Sequence, residues 1–117
     1  LYSEGVAQGR LSLPRLVEVV ASTPAQLFGL APRKGSLMPG ADADIVLLDP
    51  HVKWTMDLDS LHMATDYAAY DGIEVTGKIR HVYSRGELII DGDECLAEKG
   101  RGRYLHRTLD PTLRASL

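Results

Sequence analysis

Four histidines, an aspartate pair and one cysteine are the side chains here best suited to chemistry. The histidines are His51, His62, His81 and His106. None is part of an H-x-H or H-E-x-x-H pair, the spacings that put two imidazoles on one metal ion. They lie in four different segments, so a metal site would require the fold to gather them, and scattered histidines more often serve surfaces or packing. His81 alternates with Ile79 and Tyr83 along one expected strand and reads as a satisfied, partly buried side chain. Asp42 and Asp44 could act as a carboxylate pair in acid–base work or hold a cation. In Met38-Pro39-Gly40-Ala41-Asp42-Ala43-Asp44, however, Asp42 suits a turn, where its side chain can accept from nearby backbone N–H groups. Asp44 stands where that turn enters a strand. Cys95 has no base near it in sequence. No Gly-x-Ser-x-Gly or phosphate-cradling loop is present, and Gly35, Gly40, Gly72, Gly77 and Gly86 are spaced like turns. The residues alone assign no catalytic, substrate-binding or metal-binding part to any position.

The elements that would position these side chains fall into two textures. Residues 11–30 read as two short helices. Leu13, Leu16, Val17 and Val20 fit one buried helical face. Ser12 is placed to cap the first helix, with Pro14 in its opening turn. Thr23 and Gln26 have the spacing of a capping box for a second helix, with Pro24 at its first position and Gly29 as its stop. From residue 35 onward, glycine and proline punctuate short apolar runs, which predicts strands joined by turns. Ile45-Val46-Leu47-Leu48 reads as a strand covered on both faces and ended by Pro50, with a second strand over 52–56. Residues 77–84 and 87–91 predict a hairpin around Arg85-Gly86, and Asp91-Gly92 closes its second strand. Residues 57–72 read as a loop with at most one helical turn. The basic, glycine-rich run Lys99-Gly100-Arg101-Gly102-Arg103 begins an extended arm with Tyr104 as its only aromatic. Such arms gain order by packing on something, and a neighbouring subunit is the expected surface.

Composition narrows the class further. A chain of 117 residues suggests one domain at most. Its 44% apolar and 25% charged residues are ordinary for a globular protein, and a net charge of −3 favours neither nucleic acid nor a membrane surface. One cysteine cannot form a disulfide framework, and a reducing cytoplasmic setting is expected. The absence of an initiator methionine at Leu1 suggests a fragment.

The run Lys34-Gly35-Ser36-Leu37-Met38-Pro39-Gly40-Ala41-Asp42-Ala43-Asp44-Ile45-Val46-Leu47-Leu48-Asp49-Pro50 resembles the closing phrase of many amidohydrolase-superfamily enzymes. Ser22-Thr23-Pro24-Ala25-Gln26-Leu27-Phe28-Gly29-Leu30 resembles the last barrel-associated helix of that family. Asp66-Tyr67-Ala68-Ala69-Tyr70-Asp71-Gly72-Ile73-Glu74-Val75-Thr76-Gly77-Lys78 is similar to the dihydropyrimidinase/D-hydantoinase branch, and Ser84-Arg85-Gly86 and Gly100-Arg101-Gly102-Arg103-Tyr104-Leu105 continue the match to about His106. The resemblance implies an α+β fold. Residues 1–32 would be the final helices of a metal-dependent hydrolase (β/α)8 barrel, 33–95 strands of an incomplete composite β-sandwich, and 96–117 a C-terminal tail that is an oligomer contact. It implies a parent enzyme, a homotetramer, that opens dihydropyrimidine or hydantoin rings to N-carbamoyl amino acids. Two zinc ions held by an H-x-H pair, a carbamylated lysine, two more histidines and an aspartate would activate the attacking water. None of those ligands matches a position in this sequence. The fragment is therefore expected to be inactive, to bind no metal, and to self-associate through bare apolar faces and strand edges. Collapsin response mediator proteins share the fold without the metal ligands. A non-catalytic binding scaffold of that kind is the alternative.

Overall fold

A computed structural model describes residues 1–61 and 63–108. His62 and the last part of the expected tail, 109–117, lie outside the described residues. Four helical segments, α1 (Tyr2–Val6), α2 (Leu13–Val17), α3 (Glu18–Ser22) and α4 (Thr23–Leu27), precede four strands. The strands β1 (Ile45–Thr55), β2 (Glu74–Ser84), β3 (Glu87–Asp91) and β4 (Glu94–Cys95) form one antiparallel sheet in sequential order. The chain is thus a small α+β unit.

Ser12 does cap α2: its backbone is extended and its hydroxyl accepts from the Arg15 amide at 3.3 Å. The expected capping box at Thr23 does not form. Ser22 and Thr23 both have helical backbone angles and no side-chain cap bond, so the helix runs on from α2 through α4. The physical reason is Pro24. It has no N–H to give to residue 20, and its ring crowds that residue's carbonyl. The preceding turn widens to π geometry over Glu18–Ser22, and the Thr23 amide reaches back to the Glu18 carbonyl. Gly29 ends the run as expected. With φ at 68°, it lets the Leu30 amide donate to the Ala25 carbonyl at 2.7 Å and its own amide to Gln26 at 3.0 Å.

Pro50 does not end a strand. It lies inside β1, where the register jumps from Asp49 opposite Lys78 to Lys53 opposite Thr76. Three residues of β1 therefore face Gly77 alone, a bulge that tolerates a residue without an N–H. A second bulge falls at Arg80, because Leu47 faces His81 while Leu48 faces Ile79. Neighbouring residues alternate faces, so Ile79 and His81 stand on opposite sides of the sheet and not on one face. The Arg85-Gly86 turn is as expected, with φ of 52° and 80°. Past Asp91, the chain turns through Gly92 into the short strand β4, which pairs Asp91 with Glu94 and Ile90 with Cys95. Residues 57–61 and 63–72 form turns and bends, one turn fixed by the Ser60 amide donating to Asp57 Oδ1 at 2.8 Å.

Little is buried. Ala25 is the one hydrophobic side chain in a core position among the described residues. Val17 and Val20 are 50% and 53% exposed and Leu13 53%, so the apolar helical face exists but stays half-bare. The β1 run is not covered on both faces, since Val46 is 57% and Leu47 46% exposed. The radius of gyration is 16.3 Å, against about 13 Å for a compact domain of this length.

Candidate functional site

The densest constellation of charge forms where the helices meet the sheet. Gly35, at φ 83°, carries the chain so close to α3 and α4 that a Cβ there would stand 2.5 Å from Ala25 Cβ and 2.8 Å from the Ala21 carbonyl oxygen. This contact holds Arg33 and Lys34 beside the turn that leads into β1. Lys34 Nζ donates to Asp42 Oδ2 at 2.9 Å and also to Asp44 Oδ2. Arg33 Nε donates to the same Asp42 oxygen at 3.0 Å. The Arg85 amide, from the β2–β3 turn, donates to Asp44 Oδ1 at 2.9 Å. Asp42 and Asp44 thus bind the end of the helical layer, the start of β1 and the hairpin together.

The electrostatics follow from those bonds. The Lys34 hydrogen bond, helped by Arg33, holds the Asp42 carboxyl below its ordinary range. Burial pushes Asp44 up, but the bonds from Lys34 and the Arg85 amide outweigh it and the carboxyl also ends low. Burial likewise works against the Lys34 charge, and its bonds to Asp44 and Asp42 still leave the ammonium raised. A carboxylate held low is a poor proton acceptor near neutral pH. What the geometry gives the pair is a joining part, between the segment after the helices, the start of β1 and the hairpin. Asp42, however, takes side-chain cations where a backbone turn bond is expected.

The three described histidines do not gather into a metal site. The His51 amide donates to Asp49 Oδ1 at 3.0 Å, a bond that with Arg80 keeps the Asp49 carboxyl low. His81 is half-exposed and sits 3.1 Å from Asp91 Oδ1 across the β2–β3 pair. His106 packs edge-on against Tyr104 with ring centroids 5.0 Å apart. Cys95 is exposed. Among the described residues, no three His, Cys, Asp or Glu side chains gather as a metal site. With Asp42 and Asp44 already engaged by cations, these residues do not fit a metal centre.

Two open apolar hollows lie on the described surface, the second of them beside this network. One, of about 450 Å³, lies on the sheet under α1. Trp54 forms its wall, donating to the Gly77 carbonyl at 3.1 Å with Lys78 Nζ 5.3 Å from the ring centre. Tyr2 lies across Gly77, and Ser3 Oγ accepts from the Thr76 amide at 3.1 Å. The other, of about 530 Å³, is lined by Val17, Val20, Phe28, Leu37 and Val46 beside Lys34. Sequence reasoning missed Arg33, Lys34 and Arg85 as partners. The one available signal was a basic pair nine and ten residues ahead of the two aspartates.

Residues 1–89 match the family model described as "Amidohydrolase family". The chain belongs to the amidohydrolase family. This amidohydrolase chain is 42% identical over 107 residues to a D-hydantoinase of Streptomyces coelicolor and 43% identical to a D-phenylhydantoinase of Escherichia coli. Each alignment takes in 92% of the chain but spans only 23% of the relative's length. The fold superposes on the solved D-hydantoinase of Bacillus sp. AR9 with a TM-score of 0.89 at 44% identity, over 92% of this chain and 24% of that one. The dihydropyrimidinase of Brevibacillus agri gives 0.89 at 40% identity, over 92% and 23%. Among the described residues, no helix is long and apolar enough to cross a membrane.

Proposed function

We propose that this chain is the C-terminal scaffold portion of a metal-dependent cyclic amidohydrolase that opens hydantoin or dihydropyrimidine rings to N-carbamoyl amino acids. The observation that carries the reading is the superposition of nearly the whole chain on a D-hydantoinase at 44% identity. In that reading residues 1–32 close a barrel, 33–95 are part of a composite sandwich, and 96–117 reach toward another subunit. The bare faces of α2–α4 and of the sheet support it, because apolar surface of that extent is what an absent neighbour would cover. The two zinc ions and their carbamylated lysine would belong to the rest of the enzyme, since the described residues do not fit them.

What this chain's own residues would supply is rigidity. Lys34, Asp42, Asp44 and Arg85 lock the helices to the sheet, so parts of the enzyme resting on either layer keep a fixed relation. An L-hydantoinase from Arthrobacter aurescens superposes at a TM-score of 0.86 and 40% identity, close to the D-enzymes. In this reading, the hand of the substrate is therefore set outside this stretch. The test is to extend the reading frame upstream of Leu1. An H-x-H pair, then a lysine, two histidines and an aspartate are expected. A continuous frame in which those ligands are replaced would overturn the hydrolase in favour of a binding scaffold.

A further inference from the structure

Arg85 occupies a backbone position that its side chain should disfavour. Its φ is 52°, the left-handed region that glycine and asparagine enter easily and long side chains avoid. It is the one non-glycine residue with positive φ among the described residues. The turn itself gives no reason for an arginine. The bonds the turn uses are the Arg85 amide to Asp44 and the Gly86 amide to the Ala43 carbonyl, and both come from the main chain. A glycine at 85 would keep them.

The side chain does something else. Arg85 Nη2 donates to the Arg101 carbonyl at 2.7 Å. Arg101 returns the contact: its Nη2 donates to the Ser84 carbonyl at 3.0 Å and to Glu87 Oε2 at 2.9 Å. Each arginine thus grips the main chain of the other's segment, and the Arg101 side chain is mostly covered, at 18% exposure. Its Nε is buried without a hydrogen-bond partner, a cost that the Nη2 bonds to Ser84 and Glu87 offset. Beyond Arg101 the arm has no regular structure as far as Thr108, whose amide donates to the Gly29 carbonyl at 2.8 Å. That carbonyl belongs to the residue that ends α4.

We infer that Arg85 and Arg101 form a reciprocal clasp that fastens residues 96–108 as a strap from the β2–β3 hairpin to the end of α4. The strained backbone at Arg85 persists because the strap needs its guanidinium, not because the hairpin does. The direction of the basic arm is then set inside the chain. A partner of residues 96–108 meets them already aimed, with less ordering left to impose.

The test is hydrogen–deuterium exchange in the whole protein that carries this chain. It compares the wild type with Arg85→Gly, Arg101→Gln and the double variant. Arg85→Gly keeps every main-chain bond of the turn and removes only the Arg85 half of the clasp, so it is expected to fold. Exchange in the peptide 102–108, read at the Thr108 amide, should rise roughly tenfold or more in either single variant. It should rise no further in the double variant, because both lesions open one lock. The Gly86 amide should exchange no faster in Arg85→Gly than in wild type. Unchanged exchange at 102–108 in Arg85→Gly would overturn the clasp. So would hairpin amides that loosen together with the arm, because Arg85 would then be serving the hairpin.

Discussion

Replacing Gly35 by alanine isolates the contact on which the charged network rests. Two costs add. A φ of 83° places an L-residue in the left-handed region, at about 1–2 kcal/mol. The new Cβ would also stand 2.5 Å from Ala25 Cβ, 2.8 Å from the Ala21 carbonyl oxygen and 3.2 Å from Ser22 Cα. Two of those three are backbone atoms held in the π-turn, so relief requires moving a helix, an overpacking cost of about 1–3 kcal/mol. The total of about 2–5 kcal/mol is a large part of the about 5–15 kcal/mol that an ordinary domain possesses. Gly40 is the control. Its φ is 92° and nothing lies within 4 Å of its Cβ position, so Gly40→Ala carries only the backbone cost, about 1–2 kcal/mol. Urea unfolding of the 117-residue chain can be followed by the fluorescence of Trp54, its single tryptophan. The Gly35→Ala midpoint should fall below that of Gly40→Ala by roughly 1 M, or the variant should be unfolded already in buffer. Equal midpoints would refute the close approach at Gly35, and with it the account of how Lys34 is positioned.

Three further outcomes follow from the same geometry. The 117-residue chain should self-associate at micromolar concentration through Val46, Leu47 and the Val17–Val20–Phe28 face, and Val46→Lys with Leu47→Lys should shift it toward monomer; sedimentation showing a clean wild-type monomer would count against this. Asp42 and Asp44 titrate below 3.8 when folded, so their stabilisation is present above that pH and lost as pH falls through the lower folded values. Lys34 titrates above 10.5, so its share is present below that pH and lost as pH rises through the folded value. Lys34→Met should flatten both limbs of the urea midpoint against pH, and an unchanged acid limb would contradict the network. Ser12→Ala should cost about 0.5 kcal/mol, the low end for a cap because the bond is long and exposed, and no change in helix content by circular dichroism would show that the cap does not hold α2.

Local chemistry was legible in the sequence wherever it was sufficient by itself. The Ser12 cap, the Gly29 stop and the Arg85-Gly86 turn each depend on a few adjacent residues, and each forms. The Thr23 capping box failed because it needs the previous helix to have ended. No glycine or extended residue ends it, and Pro24 is absorbed by widening the turn before it. The bulges at Pro50 and Arg80 depend on what the partner strand offers, including the left-handed Gly77, which periodicity along one strand cannot report. The turn around Asp42 and Asp44 was visible from the glycine and proline beside them. Their partners were less so, because Arg85 reaches Asp44 across 41 positions of sequence. The run 45–48 reads as buried because an unbroken apolar run is the mark of a strand covered on both faces, yet among the described residues Val46 and Leu47 stay half-bare.

The most direct test of the central claim measures ring opening of hydantoin and dihydrouracil to their N-carbamoyl acids. The whole protein, the whole protein stripped by a chelator and then given zinc, and the 117-residue chain alone would be compared. The account predicts turnover by the whole protein, loss with the chelator, recovery with zinc, and none by the chain under any condition. Zinc-dependent turnover by the pure chain, or a zinc-loaded whole protein inert toward both rings, would contradict it.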